Sequence, residues 1–217
     1  IDALQRAAVS RGVDIRTSSR VSNIEVEQGS EGISATGVRL ESGEVFTADR
    51  IVSSADPKTT FLNLLGAEHL EIEFTNRISR VRDQGLVSKL HLALSGLPSF
   101  TGLTSPAGRL FIAPSLEKIE IAFDNAKYGE SPVEPVMEIT VPTLGNPGLA
   151  PEGQHVLSAH VMYTPFKHKS AWDEAARTGL TTKVIDAIET YAPGTRSLII
   201  GQELLTPVDL ESRFNTS

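Results

Sequence analysis

The side chains with most capacity for chemistry are five histidines, His69, His91, His155, His160 and His168, and one lysine, Lys89, set among apolar neighbours in Val87-Ser-Lys-Leu-His-Leu-Ala-Leu94. Imidazoles at helical spacing, joined by a carboxylate, could hold a metal ion. None of the five has that spacing and no acidic residue completes a triad, so no metal site is expected. His155 and His160 fall on opposite faces of one strand, because five residues is an odd step. His168, within Phe166-Lys-His-Lys169, reads as a solvated basic loop. Lys89 is different in kind. A mid-strand ammonium needs a partner or a polar cavity, unless its strand lies at a sheet edge and the lysine stands in water. Glu134 and Glu138 alternate along another strand and are expected on an exposed face.

Other chemistries lack an anchor. The chain contains no cysteine, which removes a thiolate nucleophile, a Cys-ligated zinc and a redox disulfide, and suits a reducing compartment. No Gly-x-Ser-x-Gly elbow and no phosphate-binding Walker loop occur. A net charge of −7 argues against nucleic acid as a partner, since phosphate contacts need a basic face. No apolar run approaches the about 18 residues that would suggest a membrane span.

These side chains must be positioned by a mixture of helices and strands. Ile1, Leu4, Ala7 and Ala8 have helical spacing, with Gly12 placed as a left-handed cap. Val13 to Arg16 reads as a short strand, Arg20 to Gln28 as a half-buried one, and Ile33–Leu40 with Glu44–Ala48 as a hairpin around Glu41-Ser-Gly43. Asp49 to Ser54 reads as a further strand that stops at Ala55-Asp-Pro57, where proline can open a helix. Helices are expected over Thr59–Gly66, His69–Val81 and Leu116–Lys127. Strands are expected over Val87–Leu94, Arg109–Ala113, Val136–Val141, its partner His155–Tyr163, and Ser197–Leu204. The strongest helix is Trp172–Tyr191, with Ala176, Leu180, Val184, Ala187, Ile188 and Tyr191 in one stripe. A last helix starts at Thr206-Pro-Val-Asp-Leu-Glu.

Gly12-Val-Asp-Ile-Arg-Thr, Val21-Ser-Asn-Ile, Gly37-Val-Arg-Leu-Glu-Ser-Gly-Glu, Ala48-Asp-Arg-Ile-Val-Ser-Ser-Ala-Asp-Pro57 and Ser88-Lys-Leu-His-Leu-Ala-Leu carry a resemblance to a known family. With Trp172-Asp and Thr206-Pro-Val-Asp-Leu-Glu-Ser-Arg-Phe, the chain resembles the phytoene-desaturase-like FAD oxidoreductases along nearly its whole length. That group includes carotenoid desaturases and isomerases and the pyridine-nucleotide-disulfide-oxidoreductase-domain-2 proteins. In such proteins a dinucleotide fingerprint precedes this region and a second glycine-rich flavin segment follows it. No Gly-x-Gly-x-x-Gly occurs here and the first residue is Ile1, so an internal piece of a longer flavoenzyme is expected. By position, the resemblance implies that the Val21 backbone meets the adenine of FAD. It places Ser54, Ala55 and Asp56 beside the cofactor and gives Lys89 the part of a lysine that faces the flavin ring. The plain alternatives are Val21 as core, Asp56 as the cap of a strand-to-helix turn, and Lys89 as a surface residue.

The expected fold class is α/β (α+β): a partial FAD-binding domain over residues 1–56, then a substrate domain over 57–217 built on a mixed sheet backed by helices. The expected activity is that of an FAD-dependent oxidoreductase on a small apolar substrate of isoprenoid or polyene type, with this chain alone inactive and not retaining FAD. The rival is a non-catalytic ligand- or partner-binding module. The expected setting is cytoplasmic, with peripheral membrane contact as one route to such a substrate. The apolar positions of Val87–Leu94 and Val136–Val141 exceed what one helix covers. An uncovered cavity, or self-association across it, is therefore expected on that face.

Overall fold

The computed structural model describes residues 1–30 and 32–215. They form two compact units, Ile1–Asp83 and Gln84–Ser217. The first unit thus runs past the expected boundary at 56/57 and takes in the helices that follow Pro57.

In the first unit, α1 (Asp2–Val9) ends as expected at Gly12, whose φ of +82° is easy only for glycine. Antiparallel strands β1 (Val21–Gly29), β2 (Gly32–Leu40) and β3 (Val45–Thr47) then form a three-stranded sheet in sequence order. Gly37 is required where β2 meets β3, because a Cβ there would stand 2.3 Å from the Phe46 carbonyl oxygen. The expected strands at Val13–Arg16 and Asp49–Ser54 do not form. A strand is held by a ladder, and neither stretch has a pairing partner among the described residues. Val52 is 94% exposed.

Pro57 opens a helical turn, as its fixed φ allows, and the turn continues as a π-helix over Thr59–Gly66. The single helix expected over His69–Val81 is divided. A 3₁₀ turn at Ala67–His69 gives way to extended backbone at Leu70, and α2 spans Ile72–Ser79. Phe61 and Phe74 meet edge to face at 5.0 Å, which ties the π-helix to α2.

The second unit is built on five strands: β4 (Val87–Leu94), β5 (Leu110–Ile112), β6 (Val136–Thr140), β7 (His155–Met162) and β8 (Ile199–Leu205), in the order β5-β6-β7-β4-β8. Every pairing is antiparallel, which corrects the mixed sheet expected. No helix crosses between adjacent strands in a way that would return the chain in parallel. The pairing of β6 with β7 is the one expected. Helix α3 (Leu116–Lys127) starts on Ser115, whose Oγ accepts from the Lys118 N–H. Helix α4 (Glu174–Tyr191) starts on Asp173, whose carboxylate accepts from the Ala176 N–H at 2.8 Å. A short turn α5 (Thr195–Leu198) precedes β8, and α6 (Pro207–Phe214) begins with a capping box between Thr206 and Asp209.

Period-two alternation sorts β4. Ser88, Leu90, Leu92 and Leu94 point into the core, while Val87, Lys89, His91 and Ala93 point away. The leucines pack with Met137, Ile139, Leu157 and Val161 and with Leu180, Val184 and Ile188 of α4. The buried α4 stripe also includes Thr181 and Ile185, whereas Tyr191 is 41% exposed, so the helix is turned from the expected face. The expected open apolar cavity is therefore absent from this face. Leu90, Leu92, Leu94 and Ile139 are wholly buried, with Phe100 and Trp172 completing the cover. That finding removes the ground on which self-association across these leucines was expected.

Leu92→Ala should lower unfolding free energy by about 2–5 kcal/mol, the cost of a cavity in a filled core. Val52→Ala should change it by less than about 0.5 kcal/mol. Urea denaturation of both variants checks the assignment of the core.

Candidate functional site

The first unit contains an open hollow of about 340 Å³ bordered by Ile24, Ala35, Ile51, Ala55, Phe61 and Leu65, with Ser53, Pro57 and Thr60 at its rim. Its lining follows from the fold: Ile24 and Ala35 come from the β1–β2 hairpin, Phe61 and Leu65 from the π-helix. Of the residues expected at a cofactor, Ala55 borders this hollow and Ser54 is exposed beside it. Asp56 serves the backbone, because its Oδ1 accepts from the Thr59 N–H at 2.9 Å. Hydrogen bonds to Thr59, above all, hold the Asp56 carboxyl below its ordinary range. Asp56 thus caps the helical turn that Pro57 opens, although no strand directly precedes it. Val21 opens β1 opposite Leu40, half-buried, and does not border the hollow.

The hollow is mostly apolar, and its fit to FAD can be tested on its donors. The polar groups at the rim, Ser53 Oγ and Thr60 Oγ1, bond to each other at 2.8 Å. No cationic side chain borders it. A flat ring edge could rest there, but a pyrophosphate would find neither a glycine turn nor a positive group. The residues present fit an apolar part of the cofactor and do not fit its phosphates.

The second unit carries the denser chemistry, on the sheet face opposite α4. Lys89 lies directly across from His160 on β7, and His160 lies across from Glu138 on β6. Two residues along β4, His91 stands on the same face, opposite Ser158 on one side and Glu203 of β8 on the other. β4 is an interior strand, so Lys89 is not the edge lysine that the sequence left open. It is half-buried, and among the described residues it has no ion-pair partner. The carboxylates nearest this row are taken by arginines. Glu138 accepts from Arg109 Nε at 2.6 Å, and Glu203 from Arg213 at 2.7 Å. Glu138 is only 8% exposed, which corrects the exposed face expected for it. A buried carboxylate of this kind needs the guanidinium it has.

Both imidazoles beside Lys89 are held below the ordinary histidine range. Loss of water contact is the larger cause for each, and the Lys89 ammonium adds to it. Both are therefore neutral at neutral pH. The face presents one ammonium between two neutral imidazoles, with a neutralised carboxylate–guanidinium pair at each end. One uncompensated positive charge remains. Adjacent apolar surface comes from Val87, which is 38% exposed, and half-buried Met162 across from it.

Helix α6 is pinned nearby. Arg177 of α4 donates to both carboxylate oxygens of Asp209, at 2.6 and 2.9 Å, and this pairing, with the Thr206 bonds, pushes the Asp209 carboxyl down to about 2. The clasp fixes the helix that carries Arg213. Sequence reasoning missed it, since residues 177 and 209 are joined only through tertiary packing; the Thr206–Asp209 capping spacing was the one local signal.

His168 is not in free solvent. Its ring stacks on Trp172 at 4.5 Å and bonds Ser131 at 3.2 Å, so the basic-loop expectation is corrected by an aromatic contact. His155 bonds Thr143 at 3.0 Å and ties the turn at Pro142–Leu144, between β6 and β7, to β7. Among the described residues, no group of three or more metal-ligating side chains is arranged around a common point, and no helix is long and apolar enough to cross a membrane.

Comparison with known proteins bears on both units. The family described as flavin containing amine oxidoreductase matches residues 1–195. A mouse protein named pyridine nucleotide-disulfide oxidoreductase domain-containing protein 2 is 35% identical over 98% of this chain, and the chain spans 38% of that protein's length. The phytoene desaturase of Neurospora crassa is 28% identical over the whole chain, which spans 37% of its length. An oxidoreductase structure from Methanosarcina mazei superposes on 94% of the chain with a TM-score of 0.58 at 17% identity, and the match covers 41% of that chain. At that identity the likeness speaks for the fold alone.

Proton titration of the site offers a direct check. His91 and His160, followed by ring proton NMR, should titrate below 6.5, and Lys89→Met should move both upward, since it removes a neighbouring cation. Unchanged His91 and His160 midpoints in the variant would show that Lys89 does not act on them.

Proposed function

The chain belongs to the flavin containing amine oxidoreductase family, and on that premise we propose that it is the ligand-side portion of an FAD-dependent oxidoreductase acting on an apolar substrate of isoprenoid or polyene type. The single observation that carries this reading is the two-sided sheet of the second unit. One face is a filled leucine core, and the other carries an ammonium and two neutral imidazoles that keep solvent access, set among buried Val136, Glu138, Ser158 and Leu205. Such a face can receive a ligand without unfolding anything. The named relatives that include phytoene desaturases support an apolar substrate.

The bound flavin would supply the electron acceptance, as cofactors do in such enzymes. This chain's own residues orient the ligand and set the charge around it. Val87 and Met162 offer apolar contact beside the polar row. Lys89 would set a positive charge on this face, and a pre-set, partly desolvated charge lowers the barrier of a step that develops negative charge beside it. The first unit contributes the apolar hollow at Ile24, Ala55 and Phe61, suited to a ring edge.

Two measurements test the proposal. The purified 217-residue chain should be colourless after dialysis, because the apolar hollow offers the cofactor's phosphates neither a glycine turn nor a positive group; flavin absorbance retained at near one-to-one stoichiometry would contradict this. In the full-length parent, Lys89→Met should slow flavin reduction or reoxidation at least about tenfold, the loss of one well-placed charge. Its melting temperature should hardly change, since Lys89 lies outside the core. Half-reaction rates equal to wild type would leave Lys89 a surface residue without a redox role.

A further inference from the structure

The polar row on the open face has a charge balance that points to a particular ligand group. Lys89 is flanked by His160 across the ladder and by His91 two residues along its own strand, all on one face. Groups facing His160 are Lys89 on β4, Glu138 on β6 and Arg109 beside β5. Groups facing His91 are Lys89, His160, Glu203 on β8 and Arg213 on α6. The two carboxylates that could answer Lys89 are each bonded to an arginine. With both imidazoles neutral, the face keeps one positive charge and three nitrogen-bearing side chains in adjacent positions. A monoanion balances that charge; a dianion would exceed it.

We propose that Lys89, His91 and His160 form a carboxylate-binding site on the open face of the sheet, which takes the acid head group of an amphiphilic ligand whose hydrocarbon part lies along Val87 and Met162. The inference rests on the reading of this face as the ligand side and narrows its ligand from a wholly apolar molecule to one with a single acid head group. Lys89 supplies the charge, and the imidazoles supply N–H donors without adding charge of their own at neutral pH. Period-two alternation places the apolar pair Val87–Met162 on the same face, two residues along the strands from Lys89 and His160. A head group at Lys89 therefore leaves its tail an apolar path. Binding has a signature. A carboxylate between the imidazoles favours their charged forms, so both midpoints must rise on binding.

The test uses the 217-residue chain with three probes, sodium octanoate, octanol and acetate, followed by NMR of the histidine rings and of the Val87 and Met162 methyls. Octanoate is expected to raise the His91 and His160 midpoints by at least about half a pH unit and to shift both methyl signals, with His168 unmoved. Lys89→Met should weaken octanoate binding about tenfold, the worth of one charge-assisted hydrogen bond. His160→Gln, which keeps a donor and removes the titration, should bind octanoate while losing its share of the pH response. If octanol moves the methyls and octanoate leaves both imidazoles unshifted, the head-group site is overturned while the ligand face stands. If acetate alone matches octanoate, the amphiphile is overturned. If no probe moves any of these signals, the ligand-face reading fails with it.

Discussion

The strict alternation of β4 is the constraint on which the second unit depends. Leu90, Leu92 and Leu94 are fully buried against α4 and the neighbouring strands, and removing any one of them from water is worth about 1.5–3 kcal/mol. A slip of one residue would put Lys89 and His91 into that core and the leucines into solvent. The register is therefore fixed by packing, and the positions of the ammonium and imidazoles follow from it. β7 obeys the same rule, burying Leu157, Ala159 and Val161 while His160 faces the other way. The polar face is the obligatory reverse side of the core.

What makes that reverse side chemically distinct is the pairing of its carboxylates. Arg109 and Arg213 neutralise Glu138 and Glu203, and the Arg177–Asp209 clasp holds in place the helix that brings Arg213. The arginines come from a loop before β5 and from α6, so the charge state of the face is set by elements that do not line its centre. The first unit works on different terms: a hairpin and a π-helix border an open apolar hollow, and Asp56, next in the chain to Ala55 and Pro57 of its lining, is committed to capping.

Much of this was legible in the residues. The β4 faces, the β6–β7 partnership, the hairpin turn before Glu44 and the Asp173 start of α4 are all local patterns, written in alternation or caps. The failures share a cause. Asp49–Ser54 has strand composition, yet a strand exists only with a ladder partner, which periodicity does not reveal. Sidedness misled in the same way: counting Leu90, Leu92 and Leu94 suggested an uncovered face, because the cover depends on how α4, Phe100 and Trp172 close over it. Glu138 looked solvent-exposed until β5 placed Arg109 beside it. Among the cofactor positions that resemblance implied, Ala55 borders the apolar hollow, Asp56 caps a helix and Val21 stands apart at the start of β1. Lys89 could be singled out from sequence as an odd mid-strand ammonium, but its interior strand and its two imidazole neighbours could not.

The central claim is that the open face around Lys89 is the side turned toward ligand and cofactor in the complete flavoprotein. Amine-reactive labelling read by mass spectrometry tests it directly, by comparing the 217-residue chain with the flavin-loaded full-length protein. Lys127, on α3 and 49% exposed at its side chain, serves as the reference. The account predicts that Lys89 reacts readily in the isolated chain and is strongly protected in the loaded full-length protein, with Lys127 reacting alike in both. Equal labelling of Lys89 in the two would contradict it, because a face turned toward the bound flavin would be shielded from the reagent.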